Sequence, residues 1–213
     1  MAVNIKQIYK ILKKEFLNNR SPVSALMGIG KSPFRVLISA LLSSRTKDEV
    51  TLEACKRLFS AAKNFDDLKK MPLRKIENLI YPVGFYRTKA RHLKEIANML
   101  AGKDVPNSRE ELIKLPGIGR KVANVILNAA FGKHVIAVDT HVHRIMNRIG
   151  YVRTKSPLET EKELMKKLPK QYWRSINYIM VSFGQRICLP VKPFCSKCPI
   201  RKYCKRVGVK NAR

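Results

Sequence analysis

The stretch LPGIGRKVANVILNAAFGKHVIAVD, Leu115 to Asp139, restricts the fold more than any other part of the chain. Leu115-Pro116-Gly117-Ile118-Gly119 cannot continue a helix or a strand. Proline removes a backbone donor, and the two glycines allow conformations and close approaches that a Cβ forbids. Beyond Gly119 the pattern turns helical: Val122, Val125, Ile126, Ala129 and Ala130 recur at helical spacing, and Gly132 supplies the stop. A tight turn that opens directly into a helix points free N–H groups outward, an arrangement that favours an anion. From Lys121 to Phe131 the helix climbs roughly 15 Å. Gly132 to Val138 is apolar and, at about 3.3 Å per residue, long enough to return as a strand-like segment. The spacing therefore predicts that Asp139 comes back beside Lys121, as the N-cap of a helix from His141 to Ile149. Singly, a solvated lysine and an ordinary capping aspartate account for these residues. Together they predict an amine and a carboxylate in one pocket beside an anion-binding turn.

Charge narrows the partner. Forty-four Lys+Arg against 15 Asp+Glu leave a net charge of +29, far more than solubility needs, so a polyanion is expected. The basic residues are scattered, and no segment joins a polybasic run to an apolar anchor, so nucleic acid is favoured over an anionic membrane. No run approaches the length of a membrane span. The N-terminus is amphipathic, with Ile5, Ile8, Tyr9, Leu12 and Phe16 on one face. It reads as a structural helix rather than a signal peptide, which predicts an intracellular, cytoplasmic protein.

Periodicity predicts an all-α fold. Helices are expected over Pro33–Leu42, Lys47–Ala62 (capped by Thr46 or Ser44), Asp66–Lys70, Leu73–Ile80, from Phe85 or Tyr86 to Leu100, Arg109–Lys114, Pro157–Lys167 and Tyr172–Arg186. Ser108 and Glu111 form a capping box, and no alternating strand stands out.

Cys188, Cys195, Cys198 and Cys204 make a C-x6-C-x2-C-x5-C arrangement. Disulfides are not expected in an intracellular chain, so the four thiolates ask for a metal. Zinc is one solution and a [4Fe–4S] cluster another. Lys192, Lys197, Arg201, Lys202, Lys205 and Arg206 share this segment, so a metal that folds it would present cations to a phosphate backbone. Cys55, among Leu52, Leu58 and Phe59, reads as a core residue.

LPGIGRKVAN followed by VDTH closely resembles the helix-hairpin-helix Gly/Pro-Asp superfamily of DNA base-excision glycosylases, and within it the endonuclease III branch. The resemblance runs from about Ile5 to Cys204. It implies a six-helix barrel domain over residues 25–136, a discontinuous cluster domain over 1–24 and 137–213, and an active site in the cleft between them. The cysteine spacing looks like the family's iron–sulfur loop, which implies a [4Fe–4S] cluster held by Cys188, Cys195, Cys198 and Cys204. The implied activity is removal of oxidised pyrimidines from double-stranded DNA, followed by nicking at the abasic site. Lys121 would be the nucleophile and Asp139 its electrostatic partner. Arg45, Lys47, Arg87, Lys89, Gly117, Gly119, Arg120 and His141 would face the DNA. Many relatives carry glutamine where Arg45 stands. An 8-oxoguanine glycosylase of the same fold and a non-catalytic helix-hairpin-helix DNA binder are the alternatives. A monomer, associated with the nucleoid in a prokaryote, is expected.

Overall fold

The computed structural model describes residues 3–16 and 32–213, which are helical with no β-strand among them. In chain order the helices are α1 (Ile5–Phe16), α2 (Pro33–Ser43), α3 (Asp48–Ala61), α4 (Phe65–Lys70), α5 (Leu73–Ile80), α6 (Tyr86–Leu100), α7 (Arg109–Leu112), α8 (Arg120–Phe131), α9 (Thr140–Ile149), α10 (Pro157–Lys167) and α11 (Trp173–Arg186). The chain divides into two compact units: Pro22–Lys133, and Met1–Ser21 with His134–Arg213. The boundary expected after residue 24 lies outside the described residues.

In the Pro22–Lys133 unit, α2 is apolar almost all round and lies in the core, burying Phe34, Leu37, Ile38, Leu41 and Leu42. A helix without a polar face has to be covered on several sides, and α3, α6 and α8 pack against it. Cys55 on α3 is fully buried with its Sγ 3.5 Å from Ser39 Oγ, and burial pushes its thiol up to about 11. It is an inert core residue. At Ser108 the hydroxyl accepts from the Glu111 N–H at 3.3 Å and donates to its carboxylate at 2.8 Å, the expected capping box. Helix α7 stops at Leu112, short of the expected Lys114. Pro116 disfavours helical geometry in the residue before it, and the chain tightens into turns from Lys114 N–H to Glu111 C=O and from Leu115 N–H to Leu112 C=O.

The discontinuous unit takes its core from α1, α9, α10 and α11. The apolar face of α1 is buried at Ile5, Ile8, Tyr9, Leu12 and Phe16, each large aliphatic side chain contributing about 1.5–3 kcal/mol. The Tyr9 ring stacks on Tyr172 with centroids 3.9 Å apart. The returning segment forms no strand, yet Ile136, Ala137 and Val138 are buried, and Ile136 and Val138 join this core. Helix α11 starts one residue later than expected, because Lys170–Tyr172 is a 3-10 turn.

Candidate functional site

The turn between α7 and α8 needs Gly117 for two reasons. Its φ is +75°, in the left-handed region, and a Cβ there would sit 2.5 Å from His92 Nδ1 and 2.8 Å from Leu41 Cδ1. Gly119 is the N-cap of α8 and, lacking a side chain, offers no cap to the first amides. Gly117, Gly119 and Arg120 are all exposed. An uncapped helix end on an exposed turn leaves backbone N–H groups that favour an anion. Lys121 follows, half-buried. Near it stands Asp48, at the start of α3; burial pushes its carboxyl up and the Lys121 charge pulls it back down. Sequence reasoning missed Asp48, which reads there as one more acidic residue in a helix's first turn.

Asp139 caps α9 as expected. Its Oδ1 accepts the N–H groups of His141 and Val142, both at 2.9 Å, and its Oδ2 accepts from Asn177 Nδ2 at 3.2 Å. Asn177 is buried on α11 and also donates to Ala137 C=O at 3.0 Å. The carboxylate is thus fixed by three donors, of which the sequence revealed two. Asp139 belongs to the discontinuous unit and Lys121 to the other. His141 Nδ1 lies 3.1 Å from Arg144 Nη2, in a group with Gly184, whose absent Cβ leaves room for the imidazole.

The loop after α2 has its own architecture. Arg45 and Phe85 are exposed, both left-handed (φ 53° and 59°), and the guanidinium lies 5.7 Å from the ring centroid. A non-glycine residue in that region costs of order 1–3 kcal/mol, so surrounding contacts must hold the pair there. Gly84 lets the two segments touch: a Cβ on it would lie 2.5 Å from Arg45 C=O. Thr46 Oγ1 accepts the Gly84 N–H at 3.2 Å. The expected cap at Thr46 or Ser44 is therefore not made; Lys47 is the N-cap of α3, without a side-chain bond, because Thr46 is engaged across the loop. Lys47 and Arg87 are exposed, Arg87 with its guanidinium over the Tyr86 ring. Lys89 corrects an expectation. It is buried, and its ammonium donates to Leu42 C=O at 2.8 Å, to Ser44 C=O, and to Thr46 Oγ1 at 3.0 Å. It points into the protein rather than at a surface where DNA would lie.

Cys188, Cys195, Cys198 and Cys204 line one partly open hollow, walled by Ile145, Phe183 and Ile200. The residues fit a metal centre: four soft donors face one hollow with apolar walls. Among the described residues no three His, Cys, Asp or Glu side chains gather as a single ion needs. Helix α9 ties this loop down. Arg148 Nη1 donates to Leu189 C=O at 2.6 Å and reaches Cys188 Sγ at 3.5 Å, and Arg144 Nη2 donates to Cys188 C=O at 2.9 Å. The backbone of Lys205 and Val207 bonds back to Ile149 and Arg148.

The model of the HhH-GPD superfamily of base excision DNA repair proteins matches residues 38–170. An endonuclease III of Thermotoga maritima is 49% identical over 175 residues, covering 81% of this chain and 82% of that protein. One of Bacillus subtilis is 37% identical over 207 residues, 95% of this chain and 94% of its own. Among solved structures, a trapped endonuclease III–DNA covalent intermediate matches with a TM-score of 0.81 at 38% identity, over 94% of this chain and 95% of the other. A non-covalent endonuclease III–DNA complex gives 0.83 at 37% identity, over 95% and 94%. With a family model spanning more than half of the sequence and relatives this similar along most of its length, the chain belongs to the endonuclease III family of helix-hairpin-helix base excision DNA repair enzymes.

Proposed function

We propose that the glycosylase and AP lyase activities of this family are carried here by Lys121 as nucleophile and Asp139 as electrostatic partner, on double-stranded DNA containing oxidised pyrimidines or abasic sites. The observation that carries the reading is the position of Lys121: an amine one residue inside an uncapped helix end, behind an exposed glycine turn, with the half-buried carboxyl of Asp48 near it. A protein that only gripped phosphate would need the turn but neither the amine nor Asp139.

The target nucleotide first leaves the stack, at a cost of a few kcal/mol. Backbone N–H groups at Gly117 and Gly119, with Arg120, hold its phosphate and read no sequence. Arg45, paired with Phe85, fills the space left behind; Lys47, Arg87 and His141 line the approach. The neutral Lys121 amine then attacks C1′, the N-glycosidic bond breaks, and the base leaves with the electron pair. Asp48, whose carboxyl feels the Lys121 charge, takes the proton from Lys121 as the C–N bond forms. Asp139, already fixed by three donors, opposes the positive charge that grows on the sugar. The C1′–O4′ bond then breaks: the nitrogen lone pair closes the C=N bond as the nitrogen gives up its remaining proton or keeps it as an iminium, and O4′ takes a proton. The Schiff base acidifies C2′; loss of that proton and rupture of the 3′ C–O bond nick the strand, and water frees Lys121.

The spacing of the four cysteines resembles the iron–sulfur loop of the endonuclease III family. Cys188, Cys195, Cys198 and Cys204 would hold a [4Fe–4S] group here, which stiffens the loop and aims its cations at phosphate. No helix among the described residues is long and apolar enough to cross a membrane, and a cytoplasmic monomer acting on DNA is the reading we adopt.

A Schiff base is reducible, which supplies the test. Borohydride should link the wild-type protein covalently to an abasic duplex, and digestion should place the adduct on the peptide containing Lys121. An adduct on another lysine or on the N-terminal amine refutes the assignment.

A further inference from the structure

The buried Lys89 ammonium and the exposed Arg45–Phe85 pair belong to one assembly. Neutral side chains or backbone amides satisfy most buried carbonyls. Here a charged group is brought inside to do so, and its three N–H donors meet three acceptors, Leu42 C=O, Ser44 C=O and Thr46 Oγ1. Two of those acceptors flank Arg45. Thr46 Oγ1 accepts the Gly84 N–H, so the network continues into the segment that carries Phe85. Arg45 and Phe85 both sit in left-handed backbone, which does not hold itself.

We propose that Lys89 is the positioning residue for base extrusion: its protonated amine fastens the 42–46 turn to the 84–85 segment and so holds Arg45 and Phe85 in the geometry that fills the vacated stack. The inference deepens the function proposed above and rests on Arg45 filling the space of the extruded base.

Its consequence is a dependence on protonation. An ammonium satisfies all three acceptors. A neutral amine has two N–H groups and a lone pair, so one acceptor loses its partner and faces the lone pair instead. Burial lowers the Lys89 ammonium from 10.5 to about 8, and no charged neighbour contributes to that shift. The charged groups on the surrounding segments are Arg45 and Lys47 on the turn, Asp48 and Glu49 at the start of α3, Arg87 and Arg91 on its own helix, and Arg35 on α2, whose guanidinium lies over the Phe59 ring. Hydrogen bonds to three acceptors favour the charged form. The turn is therefore fastened at neutral pH and loosens above about pH 8.

The experiment compares two rates on the full-length protein: excision of thymine glycol from a duplex, and nicking of a duplex with a preformed abasic site. An abasic site has no base to extrude, so the ratio isolates extrusion. The wild-type ratio should fall by about tenfold across the alkaline range, the scale of one buried hydrogen bond lost. Lys89→Met, which keeps the stem and removes the charge, should show the low ratio at every pH. Lys89→Arg stays charged and should remove the alkaline fall. On an Arg45→Ala background, Lys89→Met should change the ratio no further. In the DNA-free protein the Gly84 amide nitrogen shift should titrate with the same midpoint as the wild-type ratio. A Lys89→Met ratio equal to wild type overturns the proposal, as does an alkaline fall unchanged in Lys89→Arg, or additive losses in the double variant. If the wild-type protein neither excises nor nicks, the enzymatic reading fails instead, and a Gly84 amide that does not titrate refutes the fastening itself.

Discussion

At the scale of single residues, the Lys121 and Asp139 roles separate cleanly from binding. Lys121→Gln keeps the bulk and removes the amine, so borohydride trapping and nicking should vanish while the protein still binds DNA through the backbone of the turn. Trapping by the variant would disprove the role. Asp139→Asn retains a cap for α9 but loses the charge, and base excision should drop by about 10²–10³-fold, the scale of one electrostatic contact in a transition state. Asn177 sharpens this expectation: its amide already donates to Oδ2, so the new asparagine must turn its oxygen toward the cap and force Asn177 to re-pair. Asn177→Ala should therefore lower excision while the charge remains, which a merely structural asparagine would not do with the melting temperature held. Asp48 has a pH signature. It must be ionised to accept a proton, and burial raises its carboxyl. Single-turnover nicking should fall as pH drops through a midpoint above the ordinary value of an aspartate. In Asp48→Asn that limb should disappear and the rate should be lower throughout; an unchanged profile would exclude Asp48 as the acceptor.

At the scale of elements, the glycine turn and the cysteine loop are the pieces whose failure should be local. Gly117→Ala combines a left-handed φ with a Cβ 2.5 Å from His92 Nδ1. It should destabilise the unit by about 1–3 kcal/mol and weaken DNA binding together with catalysis, unlike Lys121→Gln; affinity and melting curves equal to wild type would argue against the turn's role. Cys198→Ser should lower iron and sulfide content and loosen the loop, with affinity lost before single-turnover chemistry at saturating enzyme. A colourless wild-type protein holding one zinc would remove the cluster. These elements also show what was legible beforehand. The Ser108–Glu111 box, the Gly132 stop and the Asp139 cap are contacts between residues a few positions apart, so periodicity and spacing were enough to find them. The same holds for the four cysteines, whose chemistry admits few uses. Asn177 reaching Asp139, Arg144 and Arg148 reaching Cys188, and Lys89 reaching Ser44 join residues about forty positions apart. Nothing local marks such pairs. Lys89 was misjudged for that reason: among 44 basic residues, a lysine turned inward looks like all the others until its acceptors are in place.

At the scale of the whole molecule, charge decides how the enzyme finds and holds its substrate. A net charge of +29 is spread over both units, and a surface ion pair such as Lys56–Glu53 neutralises little of it. The field therefore attracts any duplex, and non-specific binding should be strong and governed by counterion release. Each phosphate neutralised adds about −0.9 to the slope of log K against log salt. Six contacts, drawn from groups such as Arg120, Lys47, Arg87 and the cations of the cysteine loop, would give a slope near −5 and a loss of roughly 10³ in affinity between 50 and 200 mM salt. Fluorescence anisotropy with an undamaged duplex measures this directly. Arg120→Ala should make the slope shallower by about 0.9, because it deletes one phosphate contact, whereas Lys121→Gln should leave it near the wild-type value, because the amine is kept for C1′. The contrast between adjacent residues is the informative part. Equal changes in both variants would mean that Lys121 is one more cation in the field, and a wild-type slope near zero would mean that the charge serves something other than DNA.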